Sequence, residues 1–163
     1  MKKALSDLFV AGTVFGILAN IPKMILDIIL YFSGFSRFFC FHVTGGVILT
    51  PEWFDSLHGY LVGGVLDYIF AAFLGASLAY FLYLLPGRYL FYKGIGFSIF
   101  IWLFLCIMVV EKASMWHLLT GPRHAYQTFL VHQLWGVIAT SLLIRYNSVL
   151  KSKDQTGIIR SLI

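Results

Sequence analysis

The chain has 163 residues, a formal net charge of +5 and a mean hydropathy of +0.86, with 60% hydrophobic and only 12% charged residues. Because so few charged residues cannot cover a water-exposed surface, this composition excludes a soluble globular domain and predicts an integral membrane protein. The lysines and arginines lie beside the apolar runs, where such residues set membrane topology and contact anionic lipid. The net positive charge therefore does not indicate nucleic-acid binding.

Four apolar stretches predict four membrane spans, at about 8–31, 60–85, 91–110 and 126–144. Each is long enough to cross a hydrocarbon core of roughly 30 Å as a helix. Open strands are excluded there, since lipid offers no partners for their backbone groups. We therefore predict an all-α fold, in which one four-helix transmembrane domain occupies 1–163 with an external loop over 32–59 and a cytoplasmic tail over 145–163.

The first span carries a stripe of small and polar residues on one face of its helical wheel. Gly12 and Gly16 lie four residues apart, a spacing that lets two helices approach closely. Lys23 and Asp27 are also four residues apart, so they can pair with each other on the same face. Asn20 lies between the two pairs. This stripe is expected to face protein rather than lipid.

The segment after the first span is too short and too polar to cross the membrane. Aromatic residues surround Arg37 and His42 over 32–49, which predicts an interfacial or re-entrant piece. Thr50-Pro51 has the form of a helix start, so a helix is expected to run from Pro51 into the second span. Cys40 in this segment and Cys106 in the third span are expected at different depths, with no disulfide.

Small residues also form packing faces on the second and fourth spans. On the second span Asp67 is followed at four-residue steps by three small residues, Ala71, Gly75 and Ala79. On the fourth span His132 shares a face with Gly136. These faces predict helix contacts, with Asp67 and His132 directed into the bundle.

Lys23, Asp67 and His132 are expected at one level, roughly 7 to 11 Å below the outer edge of the hydrocarbon at 1.5 Å per residue. Ionisable groups inside a membrane usually face a protein interior or an aqueous cavity. With Asp27 they form a candidate site for a ligand, an ion or a proton. Two structural interpretations stay open: an ion-pair network that holds the bundle, and a histidine that only bonds a neighbouring helix.

Lysine and arginine positions predict the orientation. With the N-terminus inside, eight cations fall on the cytoplasmic side and three on the external side, whereas Lys23 lies within a span. Cytoplasmic loops carry such an excess. The expected location is the bacterial inner membrane, with both termini in the cytoplasm. The external cations are Arg37, Lys112 and Arg123.

Two of these segments resemble a known family. The run Ala11–Gly16 followed by Lys23-xxx-Asp27 is similar to the first span of YagU-type bacterial inner-membrane proteins, and His132-Gln133-Leu134-Trp135 resembles their His-Leu-x-Trp segment. YqhR-type proteins have a comparable four-span layout. The resemblance implies an association with survival in acid and no established chemistry. Asp67 stands where the YagU type carries histidine, so shared proton or metal chemistry is not implied.

The sequence favours a small non-enzymatic membrane protein whose polar cluster senses pH or binds an ion or small solute. One alternative is a transporter or channel accessory subunit, although the cytoplasmic half offers few polar groups beyond Thr13 and Ser98. Another is a redox or metal-binding subunit. The sequence lacks His-x-x-x-His and Cys-x-x-Cys patterns, so we predict no metal or cofactor. Beyond the lipid bilayer, a homo-oligomer or a membrane-protein partner stays open.

Overall fold

The computed structural model describes residues 7–53, 55–85, 87–112 and 121–152. Five α-helices have both ends in these ranges, and no strand occurs in them. They are α1 (Leu8–Phe32), α2 (Cys40–Gly45), α3 (Leu57–Leu84), α4 (Leu90–Lys112) and α5 (Pro122–Tyr146). A 3-10 turn covers Pro51–Trp53, and residues 148–152 are again helical.

Four of these helices are long and apolar enough to cross a membrane: α1, α3, the part of α4 over Leu90–Ile107, and α5. The predicted all-α four-helix fold is therefore confirmed, and the chain is a multi-pass membrane protein. The predicted C-terminal tail is helical at its start, because α5 continues to Tyr146. Beyond residue 152 that tail lies outside the described residues.

Local capping decides where the helices begin. Asp7 accepts a hydrogen bond from the backbone N–H of Val10 at 3.0 Å and starts α1. The predicted continuous helix from Pro51 is wrong, since the turn at Pro51–Trp53 ends before α3. Ser56 caps α3 instead, by accepting from the N–H of Gly59 at 3.0 Å. A serine cap satisfies a backbone donor that the helix itself leaves unpaired.

Close backbone contact joins α1 to α3. A Cβ atom added to Gly12 would lie 2.5 Å from the carbonyl oxygen of Gly75, and one added to Gly16 would overlap the carbonyl oxygen of Ala71. Ala79 is fully buried further along α3. On α5, a Cβ at Gly136 would overlap the Ser98 side chain of α4. The small residues thus let the helices approach to a distance that any side chain would prevent.

The neighbours of each helix leave one side of the bundle loosely packed. Helix α1 packs against both α3 and α5, and α4 packs against α5, whereas α3 and α4 make few contacts. Near the turn that joins them, Phe81 and Phe97 have ring centroids 5.0 Å apart. Further from that turn, side chains of α3 and α4 line a cavity instead. The two helices therefore meet at one end and leave space between them at the other.

Helix α2 covers the end of the bundle where α1 ends and α3 begins, which we call the α2 end. It lies against α3, where the hydroxyl of Thr44 donates to the carbonyl oxygen of Gly63 at 2.8 Å. A Cβ at Gly63 would overlap the carbonyl of Phe41. The non-spanning segment predicted over 32–49 is thus a short helix fixed on α3.

Candidate functional site

A cavity of about 630 Å³ lies toward the α2 end, with walls supplied by all five helices. We call it the polar cavity, although most of its lining is apolar. Its polar lining includes the four predicted site residues, together with others that belong to the same wall. Six of these polar residues are Asn20, Lys23, Asp27, Cys40, Asp67 and His132.

An ion pair between α1 and α3 forms one part of the wall. Lys23 Nζ lies 2.7 Å from Asp67 Oδ1, and Asn20 Nδ2 donates to Asp67 Oδ2 at 2.7 Å. Both oxygens of this carboxylate therefore accept hydrogen bonds, which is the pattern of an ionised carboxylate. The stripe on α1 and the ridge on α3 thus meet at their charged ends as well as at their glycines.

The expected pairing of Lys23 with Asp27 along α1 is wrong, because each of these residues bonds a different element. Asp27 Oδ2 accepts from the backbone N–H of Cys40 at 2.6 Å. Asp27 Oδ1 accepts from Gln127 Nε2 of α5. Cys40 is the first residue of α2, so a carboxylate lies where that helix exposes an unpaired N–H group. Asp27 therefore connects α1, α2 and α5.

His132 of α5 lies in the cavity wall, and one of its ring nitrogens is hydrogen-bonded within its own helix. Its Nδ1 lies 2.7 Å from the carbonyl oxygen of Thr128, which can only accept, so Nδ1 carries a proton. Within the described residues Nε2 has no hydrogen-bond partner. In the neutral ring this nitrogen is an acceptor, and protonation would make it a second donor.

Several residues at or beside the cavity do not follow from the sequence pattern. Gln127, which holds Asp27, is fully buried, and its Oε1 has no partner among the described groups. A glutamine in the first turns of an apolar span is the signal that could have identified it. Cys40 and Cys106 both line the polar cavity, as free thiols. The sequence pattern places these two residues at different depths and does not indicate that one cavity joins them.

The remaining histidines are distributed around the same end. His124 lines the cavity, with Nδ1 3.4 Å from the Ser36 hydroxyl. His42 is a buried residue of α2 whose Nε2 lies 3.1 Å from Asp55 Oδ1, whereas His58 is exposed. His117 lies outside the described residues. Of the imidazoles that the structure describes, His124 and His132 are therefore the two that face the cavity.

Apolar and aromatic side chains complete the walls. Trp102 of α4 and Trp135 of α5 line the cavity, as do Phe70 of α3 and Phe39 beside α2. The indole N–H of Trp135 donates to the carbonyl oxygen of Gly16 at 3.0 Å. The N–H of Trp102 donates to the Thr128 hydroxyl at 3.2 Å. The charged groups thus form one part of an otherwise hydrophobic space.

Burial disfavours the thiolate form of Cys40. Burial raises the pKa of the Cys40 thiol well above its usual value, and nearby Asp67 and Asp27 act in the same direction against the opposing effect of Lys23. A protonated thiol is a poor nucleophile. In the part of the chain that the structure describes, no three residues of His, Cys, Asp or Glu are placed to hold a metal ion.

Comparison with known proteins places no further constraint on the site: no protein-family model, no curated protein and no solved structure matches this chain.

Proposed function

We propose that this protein is a non-enzymatic solute-binding protein of the bacterial inner membrane, whose polar cavity opens outward and responds to external pH. One observation carries the proposal: a cavity of about 630 Å³ contains the buried Lys23–Asp67 ion pair and an imidazole nitrogen of His132 that no described group occupies. The YagU-type resemblance suggests acid stress as the physiological setting.

The cavity favours binding over a purely structural role for the cluster. A structural ion pair is stabilised by close packing and complete hydrogen bonding, which require no space beside it. Here Lys23 and Asp67 line a volume within the range of small-molecule sites, roughly 300–1,000 Å³. Apolar walls with a few convergent polar groups are typical of such sites.

The distribution of cations supports the outward direction. The α2 end adjoins the segment 32–59, whereas most lysines and arginines adjoin the opposite end of the bundle or the chain termini. The positive-inside rule assigns that opposite end to the cytoplasm. The polar cavity would then face the periplasm or the exterior.

Thiol labelling tests whether the cavity is open to external water. In a Cys40→Ser variant, Cys106 is the remaining cysteine and lines the cavity. We expect a membrane-impermeant thiosulfonate reagent to modify it when added outside intact cells and not when added outside inverted vesicles, which present the cytoplasmic face. The matched control is Phe104→Cys in a cysteine-free background, because Phe104 is 49% exposed on the same helix and does not line the cavity. Equal labelling of both positions, or none of Cys106, would reject the proposal.

A second function, passage of protons or a small ion as a transporter or channel accessory subunit, is favoured by a separate observation. Gln133 Nε2 and Thr140 Oγ1 are buried on α5 beyond the cavity, and neither has a hydrogen-bond partner among the described residues. Unpaired buried polar groups are costly and are often satisfied by water or an ion. Flux into liposomes above that of empty vesicles, reduced by Thr140→Val, would support this function over simple binding.

A further inference from the structure

The charges in the wall of the polar cavity do not balance. Among the described residues that line it, Lys23 is the one lysine or arginine, whereas Asp27 and Asp67 are both carboxylates. All four of their carboxylate oxygens accept hydrogen bonds, as ionised groups do. The imidazoles of His124 and His132 are mainly neutral at pH 7 and above. With Lys23 and both aspartates ionised and the two imidazoles neutral, the wall carries a net charge of about −1.

An occupant with one positive charge would neutralise this wall. Charge interactions are strong in such surroundings, because apolar walls and lipid screen them far less than water does. The free Nε2 of His132 can accept a hydrogen bond from the same occupant. A metal ion fits poorly, since the described residues offer no converging set of three ligands.

The rest of the cavity suits an organic body. Trp102 and Trp135 both use their indole N–H groups within the protein, so they offer a ligand their aromatic surface. Aromatic faces attract ammonium groups. The lining from α3 and α4 includes Phe70, Leu74 and Leu105, and these two helices make few contacts with each other. An apolar body can pack against these side chains.

We infer that the polar cavity binds a hydrophobic organic monocation, an amine or quaternary ammonium compound with an apolar body, whose charge lies against Asp27 and Asp67. This inference rests on the proposed solute-binding function and specifies its ligand class. Protonation of His132 supplies the same missing charge, so protons and the cation compete for the cavity.

The test uses the full chain in nanodiscs of zwitterionic phosphatidylcholine and two probes of equal shape and opposite charge. Tetraphenylphosphonium is the cation and tetraphenylborate the anion, with quenching of tryptophan fluorescence as the readout and protein-free nanodiscs subtracted. We expect saturable binding of the cation and at least tenfold weaker binding of the anion. Equal or tighter binding of the anion would overturn the inference, as would no binding of the cation.

Two variants test whether the cation binds beside Asp27. Asp27→Asn removes one negative charge from the wall and keeps an oxygen that can accept from Cys40, so we expect the cation to bind at least about tenfold more weakly. Glu52→Gln makes the same change at an exposed site outside the cavity and should leave affinity unchanged. An unchanged affinity in Asp27→Asn contradicts the assignment. If Asp27→Asn fails to fold, the comparison of the cation with the anion on the unaltered chain still tests the inference.

The thiol-labelling experiment distinguishes a wrong ligand class from a wrong proposed function. If Cys106 is accessible from outside and the cation does not bind, the solute-binding function stands and the ligand class is wrong. If Cys106 is inaccessible, the proposed function itself fails. Cation binding that protects Cys106 from the reagent supports both.

Discussion

Lys23 Nζ lies 2.7 Å from Asp67 Oδ1 across the interface of α1 and α3, with both side chains less than one-tenth exposed. The pair forms where two ridges of small residues bring the helices together. Burying each ion alone in a membrane protein is expensive, and removal of one partner leaves the other without compensation. The two helices are therefore joined by a charge interaction that fixes their register.

Asp67→Asn should destabilise the protein, because it leaves the Lys23 ammonium facing a neutral amide. We expect the free energy of unfolding to fall by about 3–5 kcal/mol, the usual range for an isolated buried charge. Reversible unfolding in bicelles, followed by tryptophan fluorescence, would measure it. The double variant Lys23→Met with Asp67→Leu should recover most of the loss, since an apolar pair of similar volume is often as stable. A double variant no more stable than the single one would show that the two residues are not coupled.

Gly16→Ala should separate α1 from α3, because its Cβ would overlap the carbonyl oxygen of Ala71 and lie 2.9 Å from the Cα of Gly75. These are backbone atoms, so neither can rotate away. We expect a loss of at least about 1–3 kcal/mol in unfolding free energy. Gly96→Ala is the matched control, because Gly96 is a helical glycine of α4 with nothing within 4 Å of an added Cβ. That substitution should be neutral or stabilise by up to about 1 kcal/mol; equal effects would disprove the packing argument.

His132→Ala should remove a pH response of the cavity. Protonation of His132 adds positive charge to a cavity that Trp135 also lines, so tryptophan fluorescence of the wild-type protein should change as the pH is lowered. The other titratable groups that line the cavity are Lys23, Asp27, Cys40, Asp67, Cys106 and His124. Because His124 is a second imidazole in the cavity wall, the His132→Ala profile is compared with that of His124→Ala and with that of exposed His58→Ala. Identical profiles for wild type and His132→Ala would exclude His132 as the sensor.

Cys40 should react slowly with iodoacetamide, and its rate should keep rising at alkaline pH. Burial raises the pKa of this thiol, so the reactive thiolate forms only above the usual range near pH 8.5. The measurement uses Cys106→Ser, which leaves Cys40 as the remaining cysteine. Val47→Cys in a cysteine-free background is the control, because Val47 is 46% exposed and also lines the cavity. A rate for Cys40 that levels off at the same pH as the control would contradict the raised pKa.

The fold followed from local features of the sequence. Helix length and the lack of strand alternation are properties of each apolar run alone, so the four spans could be predicted without knowledge of their neighbours. The glycine spacing on α1 likewise identified the face that meets α3. Boundaries were less accurate: the cap at Ser56 moved the start of α3 to Leu57, and Pro122 moved the start of α5 four residues before the predicted span.

The candidate site could be predicted only in part, because its bonds connect distant elements. The spacing of Lys23 and Asp27 permits a pair within one helix, yet the carboxylate that Lys23 contacts is 44 residues away. The partner of Asp27 on α2 is a backbone N–H, which a pattern of side chains cannot reveal. The cavity arises where α3 and α4 lack contact, and a gap between helices has no signature in either sequence segment.

The two hydrogen bonds of Asp27 couple the interior of the bundle to its surface. The same carboxylate that faces the cavity holds the first N–H of α2 and the amide of Gln127. An occupant that binds Asp27 competes with these donors, and by thermodynamic reciprocity anything that pulls on α2 alters affinity for the occupant. Through this one carboxylate, the position of α2 and the occupancy of the cavity are thermodynamically linked.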